Sequence, residues 1–102
     1  MHEKQLLDYL KGACSGRAYR VGGADLERVL QISGTDLRKI VNRLRRRGVP
    51  IASDRNGYFY AQTAGEVYAT IRQLRKMTFG LEAAIRGLEQ ALDSFGERGD
   101  RP

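Results

Sequence analysis

The sequence predicts a mainly α fold with one small β-hairpin and a long C-terminal helix. Three observations carry this. Apolar residues recur at spacings of three and four through most of the chain, two β-prone runs flank a single Asn-Gly, and a heptad repeat holds from Val67 to Phe95. At 102 residues the chain has the size of one domain. A domain this small buries only roughly 60–65% of its unfolded surface, so its core is expected to lean on a partner.

The first helix is expected over Glu3–Lys11, where Leu6, Leu7 and Leu10 share a face, and Gly12 stops it. Four glycines follow between 12 and 23, with an alternating piece from Arg17 to Val21 that reads as a minor edge strand. From Ala24 to Gln31 the residues Leu26, Val29 and Leu30 form a second apolar face, with Asp25 and Glu27 in the first turn, where the helix dipole favours acids. Ser33 then serves as an N-cap with Asp36 three positions on, so a new helix starts within two residues of the last. That helix runs to about Arg47 and ends at Gly48. Leu37, Ile40, Val41 and Leu44 form its packed stripe, and Thr35, Lys39, Asn42 and Arg46 face the other way, flanked by Arg38, Arg43 and Arg45.

The runs Val49–Ser53 and Tyr58–Ala61 around Asn56-Gly57 predict a hairpin with Arg55 at its tip. Thr63-Ala-Gly-Glu66 is a capping box, and the helix after it is unbroken to about Phe95. Val67, Ile71, Leu74, Thr78, Leu81, Ile85, Leu88, Leu92 and Phe95 form a strict a/d seam. At 1.5 Å per residue it reaches about 43 Å, more than a head of this size covers, so the seam calls for a second chain. Antiparallel pairing with partner numbers summing to 159 matches a with d positions and brings Arg75 near Glu82 of the other chain. Parallel pairing finds no charges at Thr70, Met77, Ala84 and Ala91 to set its register, and the small Ala84 and Ala91 also admit a four-helix assembly.

Charge is unevenly placed. Residues 1–62 hold twelve Lys/Arg against six Asp/Glu and residues 63–102 hold six of each, so the net +6 belongs to the head and points to a polyanionic partner. The single Cys14 allows no internal disulfide, and with His2 as the lone histidine no zinc set forms. No structured histidine, glycine-rich phosphate loop or carboxylate pair in an apolar pocket is evident. No enzymatic activity, cofactor or small-molecule ligand is therefore expected. No apolar run approaches a membrane span and the N-terminus lacks a signal-like stretch, which predicts a soluble, cytoplasmic, nucleoid-associated protein with no membrane partner.

Helix, short strand, helix, tight turn, basic helix and hairpin is the order of a winged helix-turn-helix. From Val21-Gly-Gly-Ala-Asp-Leu-Glu-Arg-Val-Leu-Gln-Ile-Ser33 through Leu37, Val41 and Leu44 to Gly48-Val-Pro-Ile51 and Asn56-Gly-Tyr58, the chain resembles the N-terminal winged-helix domain of biotin-operon repressors and related bacterial regulators. The likeness covers residues 3–61. Glu27 stands where family members place a small residue, and Gln31 where many have Gly.

The heptad seam predicts a coiled-coil dimerisation helix over 63–96 and a disordered tail is expected over 97–102, while the resemblance implies a DNA-binding domain over 1–62. It makes residues 34–47 the recognition helix and 51–61 the wing. Thr35, Arg38, Lys39 and Asn42 then become base readers, since Arg and Lys suit guanine, Asn suits adenine and Thr a thymine methyl. Arg43, Arg45 and Arg46 would meet phosphates and Arg55 a minor groove or phosphate. Each has a plainer reading: Asn42 as a solvated polar residue, Arg47 as a snorkelling side chain or an offset to the helix dipole, Tyr58, Phe59 and Tyr60 as packing, and Tyr9 and Tyr19 as core edges. The function expected is a sequence-specific double-stranded DNA-binding transcriptional regulator acting as a homodimer. The alternative is a nonspecific DNA-binding or protein-interaction adaptor, of replication or phage type, whose coil recruits a different partner.

Overall fold

The computed structural model describes residues 2–96; the predicted tail, 97–102, lies outside them. Helix α1 (His2–Ala13) is followed by a 3₁₀ turn (Arg17–Tyr19), α2 (Gly23–Leu30), α3 (Gly34–Arg46), strands β1 (Ile51–Asp54) and β2 (Gly57–Tyr60), α4 (Ala64–Ala91) and a last 3₁₀ turn (Leu92–Phe95). The fold is mainly helical, with a two-stranded antiparallel sheet and a long C-terminal helix. The chain divides into two compact units between Thr70 and Ile71, eight residues beyond the expected 62/63 boundary.

The first unit is built on one apolar cluster. Leu6 and Leu10 of α1, Leu26 and Leu30 of α2, the four stripe residues of α3, and Ile51, Ala52 and Phe59 of the hairpin close around one another with Cys14. Each large side chain so buried contributes about 1.5–3 kcal/mol relative to exposure. Ser33 caps α3 as its sequence position suggested, its hydroxyl accepting from Asp36 N–H at 3.1 Å. Between α2 and α3, Gln31 takes the left-handed conformation with φ 55° and ψ 49°. This lets Ile32 N–H reach the Glu27 carbonyl at 3.1 Å and reverses the chain in three residues.

Several local expectations are corrected. Arg17–Tyr19 is a 3₁₀ turn and not a strand, entered through Gly16 at φ 89°. Of the expected strand Val21 alone pairs with the hairpin, exchanging both backbone hydrogen bonds with Tyr58, while Ser15, before it, bridges Tyr60. Val29 is 54% exposed and Tyr19 67% exposed, so neither belongs to the core. On the α2 wheel Val29 lies at the edge of the arc centred between Leu26 and Leu30, beyond reach of the cluster.

The hairpin pairs Asp54 with Gly57, which makes Arg55 and Asn56 the loop. Asn-Gly is therefore not the central pair of the turn, and Asn56 N–H is held by the Asp54 carboxylate at 2.8 Å. Gly57 is required for another reason. At φ 153° its Cα passes so close to Val21 that an added Cβ would lie 2.2 Å from the Val21 carbonyl oxygen.

The start of α4 belongs to the first unit. Thr63 Oγ1 accepts from Glu66 N–H at 3.2 Å, one half of the capping box expected here. The Glu66 carboxylate accepts from Gln62 N–H at 2.7 Å and from Arg17 N–H at 3.0 Å, so it ties the helix start to the 3₁₀ turn. These donors hold its carboxyl below the usual glutamate range, the Gln62 N–H contributing most. One turn on, the buried Thr70 hydroxyl accepts from Ser53 N–H at 3.1 Å.

The second unit is the rest of α4 and the final 3₁₀ turn. Every residue from Arg72 to Ala91 is exposed, including Leu74, Met77, Phe79, Leu81, Ile85 and Leu88. The α-helix ends at Ala91, which puts the last two seam positions, Leu92 and Phe95, in the 3₁₀ turn. Among the described residues no helix is long and apolar enough to cross a membrane.

Candidate nucleic-acid interface

Helix α3 sorts its residues by geometry. At 100° per residue Thr35, Arg38, Lys39, Asn42 and Arg46 fall within about 100° of arc, opposite the buried Leu37, Ile40, Val41 and Leu44. All five are exposed. Arg38 Nη2 lies 3.4 Å from Thr35 Oγ1. Among the described residues the side chains of Lys39, Asn42, Arg46 and the hairpin-tip Arg55 are engaged in no hydrogen bond or ion pair, so their polar groups face water.

The other predicted cations of α3 are placed differently. Arg45 lies about 80° from Thr35 on the wheel, on the side of the hairpin. It is half-buried there, its Nε donating to the Ile51 carbonyl at 2.8 Å and its Nη2 to Ser53 Oγ at 3.0 Å. Burial pulls its pKa down, yet a guanidinium keeps its proton at any ordinary pH. The expectation of a purely outward phosphate ligand is therefore revised: Arg45 braces α3 against β1. Through Ser53, whose N–H donates to Thr70, the brace continues to the first turns of α4.

Arg43 and Arg47 converge on Glu3 of α1. Arg43 Nε donates to Glu3 Oε2 at 2.6 Å, and Arg47 Nη2 bonds the other carboxylate oxygen. The Arg43 bond, followed by that from Arg47, holds the Glu3 carboxyl below its ordinary range. Arg43 remains exposed, but any phosphate contact it makes competes with Glu3. Arg47 gains a specific partner where snorkelling or a dipole offset is expected from the sequence.

Two cations that the sequence reading passed over stand near the hairpin. Arg17 Nε and Arg20 Nε lie 3.9 and 3.7 Å from the Asp54 carboxylate, and Arg17 stacks 5.9 Å above the Phe59 ring. Exposed pairs of this kind are worth little, so either arginine is available to an anion. Nothing in the local sequence marks them, because Asp54 lies more than thirty residues away. Tyr58, Phe59 and Tyr60 alternate between half-buried and buried positions and pack on the core, in keeping with their plainer reading.

Gly34, at the start of α3, meets the Glu27 carboxylate; a Cβ there would sit 3.0 Å from Oε2. The space for close approach of α2 and α3 is thus provided by a glycine on α3, which accommodates the long Glu27 side chain. Among the described residues no group of three or more His, Cys, Asp or Glu is arranged to hold a metal. No family model, curated protein or solved structure matches this chain.

Proposed function

We propose that the chain is a winged helix-turn-helix protein that binds double-stranded DNA with sequence preference and regulates transcription as a homodimer. In this reading α2 and α3 form the helix-turn-helix, α3 enters the major groove, and the hairpin is the wing. The observation that carries it is the amphipathic α3: its buried stripe pins it to the core while Thr35, Arg38, Lys39, Asn42 and Arg46 line the solvent face. A major groove admits one helix, and these side chains have the donors and acceptors that base edges and phosphates require.

Within this reading Thr35, Arg38, Lys39 and Asn42 read bases. Arg46, with Arg55 on the hairpin and Arg43 when Glu3 yields it, meets phosphates. The seam of α4 joins two copies. Filter or fluorescence titrations of a selected and a random duplex, each at two salt concentrations, test the division. Lys39→Ala is expected to narrow the gap between the two duplexes by about 1–3 kcal/mol. Arg46→Ala is expected to weaken both equally and flatten the salt dependence. Wild-type protein that binds neither duplex at low salt overturns the proposal.

A further inference from the structure

The exposed apolar face of α4 has charged neighbours that select one partner geometry. With Ile71, Thr78 and Ile85 at a positions and Leu74, Leu81 and Leu88 at d positions, the exposed residues flanking the seam on one side are Tyr68, Arg75, Glu82 and Glu89, and on the other Met77, Ala84 and Ala91, the buried Thr70 being taken up by Ser53. A parallel pair sets one flank against the other, Met77 against Glu82 and Ala84 against Glu89, and forms no ion pair. An antiparallel pair sets each flank against its own copy.

Three antiparallel alignments then differ in their charge contacts. If facing seam residues sum to 152, Arg75 meets Arg75 of the other copy; if they sum to 166, Arg75 meets Glu89 but Glu82 is set against Glu82 at the dyad, whereas the alignment between them has opposite charges and no like pair. Only the intermediate alignment, summing to 159, places Arg75 against Glu82 at both ends of the dyad and sets Tyr68 against Glu89. It also sets long Met77 against small Ala84. Leu74 faces Ile85 and Ile71 faces Leu88, so the groove lined by Ile85, Leu88 and Leu92 receives partner seam residues. Thr78, the one polar seam residue, is already satisfied by the Leu74 carbonyl at 3.2 Å and can face Leu81 without a lost hydrogen bond.

We infer that α4 pairs with a second copy of this chain as an antiparallel coiled coil in the alignment that joins Leu74 to Ile85 and Arg75 to Glu82. This rests on the homodimer reading above and specifies its geometry. Its dyad passes between Phe79 and Gly80, so the two Thr70 residues stand about 29 Å apart along the coil. A parallel coil would hold them at one helix-to-helix spacing, about 10 Å.

The test is directional cross-linking in a Cys14→Ala background, with Leu74→Cys and Ile85→Cys made as separate chains, mixed by unfolding and refolding together, and oxidised. The inference expects a covalent dimer in the mixture and none from either chain alone. Covalent dimers from each chain alone overturn the antiparallel geometry while leaving self-association standing. Light scattering that finds the wild-type chain monomeric at micromolar concentration overturns both. Charge variants provide a check independent of the cysteines. Arg75→Glu is expected to weaken the dimer about tenfold, from two pairs turned repulsive, and Glu82→Arg in the same chain to restore it. No effect of Arg75→Glu on the dimer also overturns the inference.

Discussion

Replacing Arg45 with alanine separates a structural arginine from one proposed to contact DNA. The substitution removes two charge-assisted hydrogen bonds, at 2.8 Å to the Ile51 carbonyl and 3.0 Å to Ser53 Oγ, from a half-buried site. Such bonds contribute about 1.5–3 kcal/mol each when a charged group is involved. The guanidinium has already lost hydration on burial, as the fall in its pKa reflects, and alanine recovers that cost. The difference comes to about 2 kcal/mol, allowing for water reaching the freed acceptors. In urea, with a slope of about 1.5 kcal/mol/M, the unfolding midpoint falls by about 1.3 M at fixed protein concentration. Arg46→Ala, at an exposed side chain on the same helix, changes stability by less than about 0.5 kcal/mol. Lysine at position 45 offers one point charge to two separated acceptors and falls between them. Equal midpoints for Arg45→Ala and Arg46→Ala, with a flattened salt dependence of DNA binding in the former, would refute the brace.

Three further outcomes are expected. Gln31→Gly relieves the left-handed backbone in the α2–α3 turn, and after the added freedom of the unfolded chain is counted it stabilises by about 0.5–1 kcal/mol in the same denaturation assay. Gly57→Ala drives a Cβ into the Val21 backbone and costs more than about 3 kcal/mol, or abolishes folding, read by circular dichroism and proteolysis. Glu3 has a depressed folded pKa, so its contribution is present above the ordinary glutamate pKa and lost as pH falls through the folded value. Wild type therefore unfolds at a higher denaturant concentration than Glu3→Gln at pH 6–7, and the gap closes below about pH 4.3.

What the sequence made legible is what is local. The stripe and outward face of α3 follow from a 3.6-residue period, the Ser33 cap from a three-residue spacing, and the seam of α4 from a seven-residue repeat. The hairpin was legible as a pair of strands, but the reason for its glycine was not, because Gly57 answers to Val21, thirty-six residues earlier. Arg45 illustrates the same limit at the candidate site. It and Arg46 are chemically alike and adjacent in sequence, and only the approach of β1 turns one into a brace. Likewise Arg43 and Arg47 look like free members of a basic run until α1 brings Glu3 to them across forty and forty-four residues. The reading of Arg17–Val21 as a strand failed because alternation over five residues is satisfied equally by a 3₁₀ turn that delivers one residue to a sheet edge.

Selection of bound sequences from a random duplex pool, followed by sequencing, decides whether α3 reads bases. A dimer presenting two copies of α3 is expected to enrich a near-palindrome whose half-sites lie about one helical turn apart, with the enrichment weakened in Lys39→Ala. A pool that emerges with its starting composition would contradict the claim that this helix reads DNA.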